Sequence, residues 1–266
     1  MSIRSVLLNV ADVPRAVDFY TRFLAAVPVG EVSEHGADLD LVTATIRLRR
    51  VDRAAPSSWI ADDLHAGFRH VGFKVAALDP IVAALHEAGV RFHLEPLEAE
   101  GGVRLTFFYD PDGTLLELVE GPLQYHEVLD REAVESDWAL GTPERPRLDH
   151  VAETVADLDR TVAYYAPLGW RHMSGIHQPS DARGFEIAFL RSGDTSLEIF
   201  TFDRAELVPA TPRVDVSGSD GPGFDAPGFV AVELDPAPPA GAGDVTLDRW
   251  RVGTDPDGLA HATALP

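Results

Sequence analysis

Phe68-Arg69-His70-Val71-Gly72-Phe73-Lys74-Val75 is a short alternating stretch with a histidine near its head, and it recurs in altered form three more times. The copy at 147–155 keeps the histidine, as His150. The copies at 3–10 and 228–234 lack it. As a strand, the stretch puts His70, Gly72 and Lys74 on one face and Val71, Phe73 and Val75 on the other.

Each copy opens a longer unit. In the first, Asp12-Val13-Pro14 supplies a helix cap, and Ala16, Val17, Phe19, Tyr20, Phe23 and Leu24 follow at helical spacing. Residues 38–50 then read as one or two strands. In the second, Asp79-Pro80 opens a helix that stops at Gly89. Three strands follow, RFHLEP, VRLTFFY and LLELVE, the last two joined by the hairpin turn Asp110-Pro111-Asp112-Gly113, where proline presets one dihedral and glycine accepts positive φ. The third unit repeats the plan with a cap at Asp157-Leu158-Asp159. The fourth is eroded: PAPPAGAG at 236–243 stands where a helix belongs, and it cannot be helical.

The chain therefore reads as α+β, with four modules of strand, helix and three strands. The expected domains are 1–122 (modules 1–55 and 66–122) and 147–266 (modules 147–203 and 225–266). Residues 123–146, acidic, aperiodic and ending in prolines, read as a linker. The stretch 204–227, rich in Pro, Gly and Asp, reads as a loop. One spacing ties the middle modules together: His70 to Glu117 is 47 residues and His150 to Glu198 is 48. The corresponding spans in the outer modules are shorter.

Composition narrows the function. The 266 residues are 45% hydrophobic and 24% charged, ordinary for a globular protein. The net charge of −21 repels phosphate backbones and gives no help with anionic membranes, so neither nucleic acid nor membrane is an expected partner. The absence of cysteine removes disulfides and thiolate metal sites. The opening Met1-Ser2-Ile3-Arg4 enters a strand too short and polar for a signal peptide, and the expected location is the cytoplasm.

HVGFKVAALD with DPDGTLLELVE, and HVAETVADLDRTVAYY with SLEIF, resemble the vicinal oxygen chelate superfamily. That group includes glyoxalase I, methylmalonyl-CoA epimerase, extradiol dioxygenases and bleomycin-resistance proteins. The resemblance covers nearly the whole chain outside the two irregular stretches. It implies two half-open mixed β-barrels with helices outside, the glyoxalase/dioxygenase fold. It also implies one divalent metal ion (Fe, Mn, Co, Ni or Zn) held by His70, Glu117, His150 and Glu198. Imidazole and carboxylate donors suit all of those ions. At the matching places module one has Ser5 and Arg47. Module four has Phe229 and Ala262, with His261 one place off register. If module two pairs with three and one with four, one barrel holds all four ligands and the other none, so that retention has a single cause.

Three functions follow from the resemblance. The first is proton transfer at carbon in a small substrate with vicinal oxygens, a glyoxalase/epimerase/isomerase-like lyase, with Glu117 and Glu198 as candidate bases. The second is a non-haem Fe(II) extradiol-type dioxygenase, although Phe107 stands where its signature wants tyrosine. The third is a metal-free drug- or metabolite-binding protein. Lys74, Arg104, Tyr109 and His177 are candidate substrate contacts, and Arg47 and Arg49 candidate anion contacts in the metal-free cavity. Four modules can complete both barrels in one chain, so a monomer suffices and a homodimer stays open.

Overall fold

The computed structural model describes residues 2–52, 62–178, 180–209, 226–241, 244–247 and 249–265; most of the 204–227 stretch lies outside them. Module one comprises β1 (Ser2–Val10), α1 (Val13–Leu24), β2 (Val27–Val29), β3 (Gly36–Asp40) and β4 (Thr45–Arg50). Module two has β5 (Gly67–Val75), α2 (Leu78–Glu87), β6 (Phe92–Glu98), β7 (Arg104–Tyr109) and β8 (Leu115–Glu120). Between the halves lie β9 (Glu127–Val128) and α3 (Arg131–Ala139). Module three has β10 (Arg147–Thr154), α4 (Leu158–Tyr165), β11 (Arg171–Gln178), β12 (Phe185–Ser192) and β13 (Thr195–Phe202). Among its described residues module four has only strands: β14 (Gly228–Asp235), β15 (Val245–Leu247), β16 (Trp250–Thr254) and β17 (Ala260–Ala264).

The strands form two mixed sheets. One runs β15-β16-β17-β14-β1-β4-β3-β2, the other β6-β7-β8-β5-β10-β13-β12-β11-β9. Module two thus shares a sheet with module three, and module one with module four, so each sheet takes one module from either side of 123–146. At each centre the first strands of the two modules pair antiparallel, β5 with β10 and β1 with β14. Each of these pairs parallel with the last strand of its own module. This plan brings the heads of two modules and the tails of two modules to one place.

The apolar alternation chooses the buried face. Val71, Phe73, Leu116, Leu118, Leu197 and Ile199 are fully buried and join α1, α2 and α4 in one continuous core. At about 25 cal/mol per Å² of apolar surface, such burial is the main stabilising term. The capping expectation holds for α1 and α4, where Asp12 and Asp157 accept from the amides of Arg15 and Arg160.

The Asp-Pro-Asp-Gly turns do more than close hairpins. The Tyr20 hydroxyl donates to Asp110 at 2.8 Å, and the Ala11 amide to Asp112 at 2.9 Å. Likewise Tyr165 donates to Asp255 at 3.1 Å, and the Ala156 amide to Asp257 at 3.0 Å. Each turn therefore fastens a module in one sheet to the neighbouring module in the other.

The stretch read as a linker contains structure. Asp130 caps α3 through the Ala133 amide, and Ala133 and Val134 pack on Met173, Ile176 and Phe189. With only these two residues of the helix buried, its apolar stripe is too thin to show as a period in the sequence.

Candidate metal centre

His70 sits in the middle of β5, and the antiparallel register sets His150 of β10 opposite Gly72, two residues further along. Parallel pairing sets Glu117 of β8 beside Gly72, and Glu198 of β13 beside Ala152. The four side chains leave their strands on the face away from the helices and converge. His70 Nε2 lies 3.1 Å from His150 Nε2, 3.3 Å from Glu117 Oε2 and 3.2 Å from Glu198 Oε2. His150 Nε2 lies 2.9 Å from Glu117 Oε2 and 3.3 Å from Glu198 Oε2. All four residues are buried.

These distances suit a shared centre. Metal–nitrogen and metal–oxygen bonds of about 2.0–2.2 Å put neighbouring donors about 3.0–3.4 Å apart. Moreover, Glu117 Oε2 and Glu198 Oε2 have no hydrogen-bond partner among the described residues, although imidazole nitrogens stand so close. Buried carboxylate oxygens normally find a donor. Here they point at a common centre, and the four side chains could hold one metal ion.

Electrostatics agree. Burial works against charge on Glu117, yet His70 and His150 hold its carboxyl down at about 2. Burial works against charge on His150 too, but Glu198, Asp149 and Glu117 raise it well above 6.5. A field that favours a proton on His150 favours a cation at the centre. Behind His150, Asp149 Oδ2 accepts from Nδ1 at 3.2 Å, which in the neutral ring leaves the Nε2 lone pair facing the cluster. Burial opposes charge on Asp149, but the His150 hydrogen bond and the charges of Lys74 and Arg147 hold it at about 2.

Glu117, His150 and Glu198 line a cavity of about 450 Å³, while His70 is fully buried. Lys74, Arg147 and Asp149 supply charge near the donors, while Leu105, Ile176 and Phe189 supply apolar lining. The connecting helix α3 adds Asp137 and Trp138; Asp137 accepts from Tyr125 at 3.0 Å and pairs with Arg191 at 2.6 Å.

Comparison with known proteins places this geometry. Residues 2–118 match the family model described as Glyoxalase/Bleomycin resistance protein/Dioxygenase superfamily. Modules one and two therefore carry that superfamily's sequence pattern. The likeness in fold runs through both halves: glyoxalase I from Zea mays superposes with a TM-score of 0.63 at 16% identity, covering 99% of this chain and 92% of that one. Its V278E mutant gives 0.64, with the same identity and coverages. In sequence, the uncharacterized protein YwkD of Bacillus subtilis (strain 168) is 47% identical over 57 residues. That match spans 21% of this chain and 43% of the relative's length.

The other expected contacts divide. Lys74 lines the cavity. Arg104 does not; it is tied to Asp79 at 2.7 Å and also pairs with Glu120 and Glu98. Tyr109 faces a different hollow, with its hydroxyl 3.0 Å from His93 Nδ1 and Arg91 over its ring. His177 is exposed, and its carbonyl accepts from His126; the next residue, Gln178, lines the cavity instead. Sequence reasoning missed Asp149, although its place directly before His150 was the available signal.

The second sheet repeats the plan without the donors. Leu7 lies opposite Ala231 as Gly72 lies opposite His150, and Leu7 lies beside Arg47 as Gly72 lies beside Glu117. The residue in the place of His150 is therefore Ala231, not Phe229 as its spacing in the sequence suggested. Both β14 and β10 carry a bulge at this point, at Val230 and Asp149, so the two strands stay in step and the sequence-based match is off by two residues, one strand period. Ala262 takes the place of Glu198 as expected, and His261 faces the other way, onto the Tyr164 hydroxyl at 3.1 Å.

Proposed function

We propose that the chain is a divalent-metal-dependent enzyme that grips a small substrate bearing vicinal oxygens and moves a proton at the adjoining carbon, as glyoxalase- or epimerase-like lyases and isomerases do. The observation that carries this reading is the pair Glu117 Oε2 and Glu198 Oε2, buried, unpartnered among the described residues and each close to both imidazoles. An ion held by His70, Glu117, His150 and Glu198 would supply Lewis-acid polarisation of the substrate's oxygens. The chain's own residues do the rest.

Glu117 and Glu198 project from β8 and β13, on either side of the central β5–β10 pair. A substrate seated between them has a carboxylate on each side. One takes the proton from carbon, and the same or the opposite one returns it. Lys74 offers a cation to an anionic substrate group. The apolar lining lowers the local dielectric and strengthens each of these interactions. Four protein donors with two carboxylates favour this class over an O₂-activating site of two histidines and one carboxylate.

The test is anaerobic purification, loading with Fe, Mn, Co, Ni or Zn in turn, and a panel of hemithioacetals, acyl thioesters and catechols. Exchange of the carbon-bound proton with D₂O is read by NMR and O₂ uptake by electrode. The expected result is exchange without O₂ uptake, abolished in Glu117→Gln or Glu198→Gln. Catechol-dependent O₂ uptake by the iron form overturns it in favour of a dioxygenase. Tight ligand binding that survives both chelator and His70→Ala, with no exchange, overturns it in favour of a sequestering protein.

A further inference from the structure

The eight-stranded sheet borders a second cavity, of about 590 Å³. At the place where the other sheet gathers its donors, this one has Ser5, Arg47, Ala231 and Ala262. A hydrogen-bonded chain fills it. Arg47 Nε donates to Ser5 Oγ at 3.1 Å, Ser5 Oγ donates to Glu233 Oε2 at 2.8 Å, and Arg47 Nη1 donates to Asp38 Oδ2 at 2.8 Å. Ser5 and Glu233 are buried, so the arrangement is built into the sheet. Arg47 stands where a ligand would be and engages the carboxylates of Asp38 and Glu233, which leaves a metal no free donor set.

Arg47 retains capacity. Its Nη2 makes no hydrogen bond among the described residues, and its guanidinium stands 5.4 Å from the Trp250 ring centroid. Arg249, exposed at the rim, stands 5.4 Å from the same ring and has no carboxylate within 4.0 Å among the described residues. Leu247 and Val230 line the cavity beside Trp250. The acids that line it are Asp38, already engaged by Arg47, and Glu31, exposed at the edge. The Nη2 edge of Arg47 and the guanidinium of Arg249 thus flank one indole at a concave surface and offer N–H donors that suit an anion.

We propose that this cavity binds a small organic anion with an aromatic or apolar body, without metal: the anionic group on Arg47 Nη2 and Arg249, the body on Trp250 and Leu247. The site is separate from the metal cluster, so binding here is independent of the proton-transfer reading.

Phenylacetate and phenyl phosphate serve as carboxylate and phosphate probes, titrated calorimetrically into the full chain, both metal-loaded and chelator-treated. The expected result is one saturable equivalent of at least one probe, with the same affinity in both forms and in His70→Ala. Affinity falls about tenfold or more in Arg249→Gln, the order of one charge-assisted hydrogen bond, and 2-phenylethanol, which lacks the charge, fails to compete. Because Arg249 is exposed, that variant keeps its fold, checked by circular dichroism. Binding lost with the metal or in His70→Ala, binding unchanged in Arg249→Gln, or no saturable binding of either probe at millimolar concentration overturns the proposal.

Discussion

Gly72 lies opposite His150 across the β5–β10 pair, and a Cβ built on Gly72 would stand 2.0 Å from His150 Cε1. The absence of a side chain at Gly72 is the space in which the imidazole sits. Gly72→Ala therefore pushes His150 out of the cluster or forces the strands apart. We expect a stability loss of about 1–3 kcal/mol by urea unfolding. Metal affinity falls by at least the 10–100-fold or so that loss of an outer partner alone costs. An alanine variant that binds metal as the parent does would show that His150 is not a ligand.

Asp149 is the orienting partner of His150, at 3.2 Å from Nδ1, and the matching His70 Nδ1 has no hydrogen-bond partner among the described residues. The outer shell is thus one-sided. Asp149→Asn keeps the size and loses the charge. It is expected to lower metal affinity about 10–100-fold while leaving the fold intact, measured by competition with a chromophoric chelator. Unaltered affinity would remove Asp149 from the account.

Glu153 is fully buried, and neither of its oxygens has a hydrogen-bond partner among the described residues. Burial, with the charges of Asp255 and Asp257 added, raises its pKa well above 4.5. The folded chain therefore keeps a proton that the unfolded chain gives up. The native state binds more protons, so this group's contribution to stability is present at low pH and is lost as pH rises from the ordinary carboxylate range through the folded pKa. Glu153→Gln imitates the protonated form at every pH. Its stability relative to the parent should climb as pH rises above about 5, by up to about 1.4 kcal/mol per unit. A difference that stays flat as pH rises from the ordinary carboxylate range would contradict the assignment.

Much of this was legible in the sequence because strand alternation and repetition leave durable marks. His70, Glu117, His150 and Glu198 announce themselves as polar residues inside apolar strands, at matched spacing in two modules. The pairing of module two with module three follows from which modules kept them. What was not legible had physical causes. Phe229 seemed to match His150 when Ala231 does, a slip of two residues, one whole strand period, which the alternation in the sequence does not reveal. The helix α3 buries only Ala133 and Val134, too little to show as a period. Arg104 and Tyr109 have the right chemistry for ligand contact, but local carboxylates and His93 engage them instead. Glu153 alternates with Val151 and Val155, and the charges that surround it come from a turn 102 residues away, at Asp255.

The central claim is that one cluster, and only one, holds metal: the ligand positions filled in the nine-stranded sheet are Ser5, Arg47, Ala231 and Ala262 in the other. Quantitative metal analysis of the purified, reloaded chain tests it most directly. The account predicts one divalent ion per chain, and none in the His70→Ala, His150→Ala double variant with its circular dichroism preserved. Two ions per chain, or one that persists in the double variant, would contradict it.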